Sequence, residues 1–259
     1  MHCESLANLY PCARRYAPNS QYPNMIDFLF DTSQKFEAYT YLHWWPLIFF
    51  FVVLTGVILF AWKKLSRDKS IVLGVWLSII PALAVILRMI FTYMDGTFTI
   101  QEELPLQLCR TLAFTFPFVI YYQSRKWFGI FYFFTIVGTL QALLTPDLPL
   151  SAPHHSYLTY WTLHCTLIAL PIYCIVNFDW RVTIRDFWNA MIVVNAYLLF
   201  TGIVNYLIGS NYFYTRHKPP GPTLLDALGP WPWYILAVEG LAVVFFLLAG
   251  LPFWVRKKG

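Results

Sequence analysis

Two residue types in this chain are suited to nucleophilic chemistry inside an apolar setting, Cys109 and His164. A thiolate attacks an acyl carbon once a base has taken its proton, and a neutral imidazole is such a base. Cys109 is followed by Arg110 and stands near the start of an apolar run, two features that supply positive potential to a thiolate. The other cysteines of apolar runs, Cys165 and Cys174, lack such neighbours; Cys165 adjoins His164, but consecutive helical residues point in different directions. A second reading stays open for both candidates. A lone cysteine in an apolar helix acts as a small hydrophobe, and a lone histidine there as a satisfied core residue. No C-x-x-C or His/Cys cluster has structural-zinc spacing, and neither metal nor cofactor is expected.

Further polar residues share these apolar runs: Arg88, Gln107, Arg110, Gln141, Asn189, Asn195, Asn205 and Glu239. Polar groups within a bilayer are costly and mark functional sites by default. Arg88, Arg110 and Glu239 share one layer, and an unpaired buried charge is costly, so Glu239 is expected to pair with one arginine. The other arginine is then free for a phosphate or carboxylate. Gln141 and Asn205 are candidate oxyanion donors, and asparagines such as Asn195 and Asn205 also serve as interhelical glue.

The elements that position these residues follow from composition. Of 259 residues 58% are hydrophobic and 12% charged, about half the charged fraction of a soluble domain; mean hydropathy is +0.54. Apolar runs occupy 43–62, 71–95, 104–123, 127–145, 157–176, 187–208 and 231–254. Each is near the ~20 residues that cross a hydrocarbon core. A backbone in lipid must satisfy its own hydrogen bonds, which predicts helices; long alternating strands, the mark of a barrel, are absent from the sequence. The expected fold is all-α: a polytopic bundle of seven transmembrane helices, multi-pass in the inner or plasma membrane.

Basic residues set the expected orientation. Lys63-Lys64-Leu65-Ser66-Arg67-Asp68-Lys69, Arg125-Lys126, Arg181 with Arg185, and Arg256-Lys257-Lys258 alternate with connectors poor in Lys and Arg. This places the N-terminus outside and the C-terminus in the cytoplasm. Topology thus accounts for the net charge of +5 without nucleic acid or another acidic partner. Helical rise then puts Cys109 about 8 Å, His164 about 10 Å, Arg88 about 10 Å and Glu239 about 12 Å below the outer face. One polar layer near that face predicts a water-accessible cavity.

Residues 1–24 are polar, hold Cys3 and Cys12, and read as an N-terminal extension before a single transmembrane domain, 25–259. The sixth connector, 209–230, is long and proline-rich; its Arg216-His217-Lys218 triplet suits a lipid phosphate, and Leu224, Leu225 and Leu228 have the spacing of a short helical face.

Several segments carry a resemblance. Leu104-Pro105-Leu106-Gln107-Leu108-Cys109, Gly138-Thr139-Leu140-Gln141-Ala142-Leu143, His164, Asn211-Tyr212 and Thr223 to Tyr234, with its Gly-Pro-Trp-Pro-Trp-Tyr block, resemble the YwaF-type bacterial integral membrane proteins. That family is related to the eukaryotic transmembrane protein 164 group, described as phospholipid acyltransferases with a Cys and a His at the active site. By motif, the Cys is similar to Cys109 and the His to His164. At Gln107 and Arg110 this chain departs from the bacterial pattern. The resemblance, together with the shared depth of Cys109 and His164 near the outer face, leads to the expectation of an acyltransferase or acyl hydrolase acting on membrane phospholipid at the outer leaflet through an acyl-thioester. Arg88, Gln107, Arg110, Gln141, Asn205, Arg216, Lys218 and Glu239 are the candidate substrate contacts. A small-solute transporter using the same polar layer, or a scaffold without chemistry, are the alternative expectations.

Overall fold

The computed structural model describes residues 27–218 and 224–255. The extension 1–24 with Cys3 and Cys12, the prolines 219, 220 and 222, and the basic tail 256–258 lie outside the described residues. The described chain is helical: α1 Tyr41–Lys64, α2 Arg67–Met94, α3 Ile100–Glu103, α4 Leu108–Tyr121, α5 Arg125–Phe133, α6 Leu140–Leu144, α7 His155–Phe178, α8 Ile184–Ile208 and α9 Trp233–Trp254. A π-helical turn, Phe134–Thr139, joins α5 to α6 in one continuous rod.

Six of these helices are long and apolar enough to cross a membrane: α1, α2, the α5–α6 rod, α7, α8 and α9. The seven full spans expected from hydropathy therefore reduce to six. The third expected span, 104–123, holds the 14-residue helix α4, about 21 Å of rise. Its first residues, Leu104-Pro105-Leu106, are apolar but not helical. Proline disfavours helical geometry in the residue before it.

Helix α7 is the axis. Two-thirds (67%) of its most apolar window is buried, against 17% for α9 and 22% for α1 and α8. Helices α1, α2 and α4 pack around α7, and the α5–α6 rod bridges to α8 and α9. Phe116, Phe128, Phe133, Leu167, Leu170 and Tyr173 are fully buried between them. Close approach is set by glycine at two crossings. A Cβ on Gly74 would stand 2.8 Å from the Tyr173 ring, whose hydroxyl donates to the Ser70 carbonyl at 2.6 Å. A Cβ on Gly129 would collide with the Asp186 carboxyl at 2.4 Å. Asp186 completes the capping box of α8 with Thr183 and pairs with Arg125 at 3.0 Å.

The helix lengths create the site. Arg67, at the start of α2, reaches Gln123, just past α4, at 3.4 Å, so the two helices are level at that end. α2 has 28 residues and α4 has 14. At the other end α2 therefore outreaches α4 by about 20 Å, and the chain 95–107 folds into the gap. Irregular backbone at membrane depth requires partners in protein or water. Here Tyr212 supplies them, donating to the Ile100 carbonyl and accepting from the Leu104 amide. The Thr111 and Tyr197 hydroxyls, 2.7 Å apart, reach the Pro105 and Leu106 carbonyls.

Candidate active site

Cys109 is the second residue of α4. The preceding Gln107 turns its carboxamide oxygen to the Phe213 amide at 3.1 Å rather than capping the helix. The first intrahelical bond runs from Thr111 to the Gln107 carbonyl at 3.0 Å. The amides of Leu108, Cys109 and Arg110 thus have no acceptor earlier in the helix, and the positive end of the helix dipole lies at the sulfur. Cys109 as a residue is partly buried, and its sulfur stands 4.0 Å from Thr139 Oγ1. Thr139 ends the π turn, a local widening often found at functional sites. One turn earlier Thr135 Oγ1 is buried without a hydrogen-bond partner, and a Cβ at Gly138 would meet open space.

His164 stands on α7, within electrostatic reach of Arg110. Its Nδ1 stands 2.8 Å from the Tyr160 carbonyl oxygen. A carbonyl only accepts, so Nδ1 carries the proton and Nε2 presents its lone pair. Among the described residues Nε2 has no hydrogen-bond partner. The Tyr160 ring packs on the imidazole at 4.2 Å between centroids, and its hydroxyl donates to the Ala142 carbonyl at 2.6 Å. Tyr160 also lies within electrostatic reach of Cys109, as do Tyr197 and Tyr214, and Arg110 within reach of His164.

The charges above Cys109 pair differently from expectation. Glu103, whose side chain is 3% exposed, takes Arg88 in a fork, Nη2 to Oε1 at 2.9 Å and Nε to Oε2 at 3.2 Å. Arg110 Nη1 meets the same carboxylate at 3.2 Å and the Glu102 carbonyl at 2.8 Å. Two guanidinium groups on one buried carboxylate leave a net positive charge. Glu239 is not their partner: it accepts from Asn195 Nδ2 at 2.6 Å, between α8 and α9.

The structure separates the remaining candidates. Gln141 is exposed and donates to Thr145 within its own turn at 2.8 Å. Asn205 is fully buried with its whole amide committed: it donates to the Tyr212 carbonyl and Thr215 Oγ1, and accepts from Ser210 and the Tyr212 amide. It fastens the connector after α8 instead of offering free donors. Arg216 is exposed, and Lys218 sits 5.6 Å over the Tyr234 ring. Arg88 and Arg110 thus share Glu103, and Arg110 follows Cys109 in the chain and lies within electrostatic reach of His164; Gln107 bonds to Phe213, Gln141 to Thr145 and Glu239 to Asn195. Cys165 packs with Leu143 and Trp161, and Cys174 lies in the central core.

Sequence reasoning missed Glu103, Thr139, Tyr160 and Tyr214. Tyr214 follows Phe213 with both at positive φ, 51° and 57°, strain that persists only where surrounding contacts enforce it. Its hydroxyl donates to Asp147 at 3.2 Å, tying two connectors together. At the nearby start of α7, burial and then the charge of His155 push His154 down to about 4. His154 is therefore neutral at pH 7 and accepts from the Ser156 amide at 3.1 Å as the α7 cap.

Searches of curated proteins and of solved structures return no match. A family model does match over residues 38–249, from just before α1 to within α9, and this chain belongs to the TMEM164 family.

Proposed function

We propose that this protein transfers or hydrolyses the acyl group of a membrane phospholipid through Cys109 and His164. The observation that carries the reading is the setting of the two side chains. Cys109 lies in an uncapped first helical turn, and the His164 imidazole, held as the Nδ1–H tautomer with Nε2 free, shares Tyr160 and Arg110 as neighbours with it.

The chemistry then runs in two halves. His164 Nε2 takes the thiol proton as the Cys109 sulfur adds to the ester carbonyl carbon. The developing oxyanion is met by the open amides of Leu108, Cys109 and Arg110. Collapse breaks the ester C–O bond, and the imidazolium returns its proton to the departing lysolipid oxygen. In the second half Nε2 removes a proton from a lysolipid hydroxyl or from water. That oxygen adds to the thioester, the C–S bond breaks, and the departing thiolate takes the proton back from the imidazolium, restoring the starting pair. The excess positive charge of Arg88, Arg110 and Glu103 holds the lipid phosphate.

The orientation supports an extracytoplasmic site. Arg67 bonds Gln123 just past α4 and Arg125 follows it, both at the end of α4 opposite Cys109, and by the positive-inside rule this supports an outer-leaflet site. The test is exchange of a labelled acyl chain between phosphatidylcholine and a lysophospholipid by purified protein in nanodiscs. Transfer of label, or release of labelled fatty acid, is the expected outcome. Absence of both across neutral and anionic head groups would overturn the proposal.

A further inference from the structure

Away from Cys109, a shallow and largely open groove of about 560 Å³ lies between α8 and α9, lined by Leu198, Leu199, Gly202, Ile203 and Ile235 between Asn195 and Thr215. Its shape follows from helix register. Asn195 and Glu239 are bonded at 2.6 Å, which levels the two helices at that point. Beyond it α8 continues to Ile208 and α9 back to Trp233, about 20 Å against about 9 Å of rise. The exposed face of α8 along this length is apolar, with Leu199, Ile203 and Tyr206 68%, 54% and 85% exposed. Gly202 interrupts this stripe, and a Cβ there would meet nothing within 4 Å.

The two ends of the groove differ in chemistry. Its floor is the polar Asn195–Glu239 pair. Its mouth is Thr215, held by Asn205 at 2.6 Å and followed at once by Arg216 and Lys218. Neither cation is ion-paired among the described residues. The Arg216 guanidinium makes a long contact to the Asn205 carbonyl at 3.4 Å, and Lys218 lies over the Tyr234 ring. From Asn195 to Tyr206 the apolar stripe rises about 17 Å, close to half of a ~30 Å hydrocarbon core. An occupant that complements it has a fatty chain one leaflet deep and an anionic group at the top.

We infer that this groove is a binding site for one phospholipid, with an acyl chain along Gly202 and its phosphate at Arg216 and Lys218. The polar floor limits the depth to which the chain enters. The site stands beside the acyl-transfer reading and does not depend on it, so it is tested in the Cys109→Ala protein, where turnover plays no part.

The experiment is photo-crosslinking in nanodiscs with phosphatidylcholine carrying a diazirine on its acyl chain. The expected result is label concentrated on the 195–206 peptide. Gly202→Phe, which fills the groove, should cut that label about tenfold. Gly56→Phe, at an equally open position on α1, should leave it unchanged. Arg216→Ala with Lys218→Ala should lower labelling to the level given by a diacylglycerol probe bearing the same chain. If Gly202→Phe does not fold, Gly202→Ile carries the same comparison. Label spread evenly over α1 and α8, or unaffected by the side chain at position 202, would mean bulk lipid contact only and would overturn the inference.

Discussion

Replacing Glu103 with glutamine is expected to destabilise the protein by about 3–5 kcal/mol, the cost of stranding buried charge by removing one partner. Glu103 is the carboxylate that both Arg88 and Arg110 use, and it is nearly sealed from solvent. Without it two guanidinium groups face each other inside the gap left by the short α4. The 95–107 chain would also lose its strongest tie to α2. The control is Glu103→Gln combined with Arg110→Met, which restores the original net charge. Thermal unfolding in detergent should place the double variant well above Glu103→Gln alone, because groups in one network do not act additively. Purely additive losses would show that the three residues do not act as a unit.

Cys109→Ala should reduce acyl transfer to the uncatalysed background. His164→Ala should lower kcat by about 10²–10⁴, the usual contribution of a positioned base. KM should change little in either, since neither side chain is assigned to holding the lipid phosphate. The double variant should be no worse than Cys109→Ala, because a nucleophile and its base fail together. Cys165→Ala provides the contrast. Its sulfur packs with Leu143 and Trp161, and the rate should stay near that of the parent protein. Kinetics on purified, folded protein decide the matter. Parent-like rates from both Cys109→Ala and His164→Ala would move the chemistry elsewhere.

Hydropathy was a good guide to six of the helices, whose ends fall within a few residues of the apolar runs. It failed at 104–107. Leu104, Pro105 and Leu106 are as apolar as a span, yet they form a folded-back, half-buried connector, and hydropathy does not distinguish the two. The same error hid Glu103, which was counted with an aqueous connector. The signal that identifies it is charge arithmetic: two arginines at membrane depth need a carboxylate, and Glu102-Glu103 lies seven residues before Arg110. Glu239 satisfied the arithmetic on paper but sits across the bundle with Asn195. Gln141 was misread because depth along a helix says nothing of direction; it points outward and closes on Thr145. The roles of Tyr160 and Thr139 depend on how α7 and the π turn face each other, a tertiary property with no mark in composition or period. Cys109, Arg110, Arg88 and His164 stand out in the sequence as candidates because each is a costly residue type in an apolar run.

A covalent acyl-enzyme is the most direct test of the central claim. Purified protein incubated with a phospholipid of defined acyl chain, then acid-quenched, is measured by intact-mass spectrometry and peptide mapping. The account predicts a mass increase equal to one acyl chain, located on Cys109, removed by neutral hydroxylamine as a thioester is, and missing from Cys109→Ala. An adduct that persists in Cys109→Ala, or acyl transfer that proceeds with no adduct at Cys109 under any quench, would contradict it.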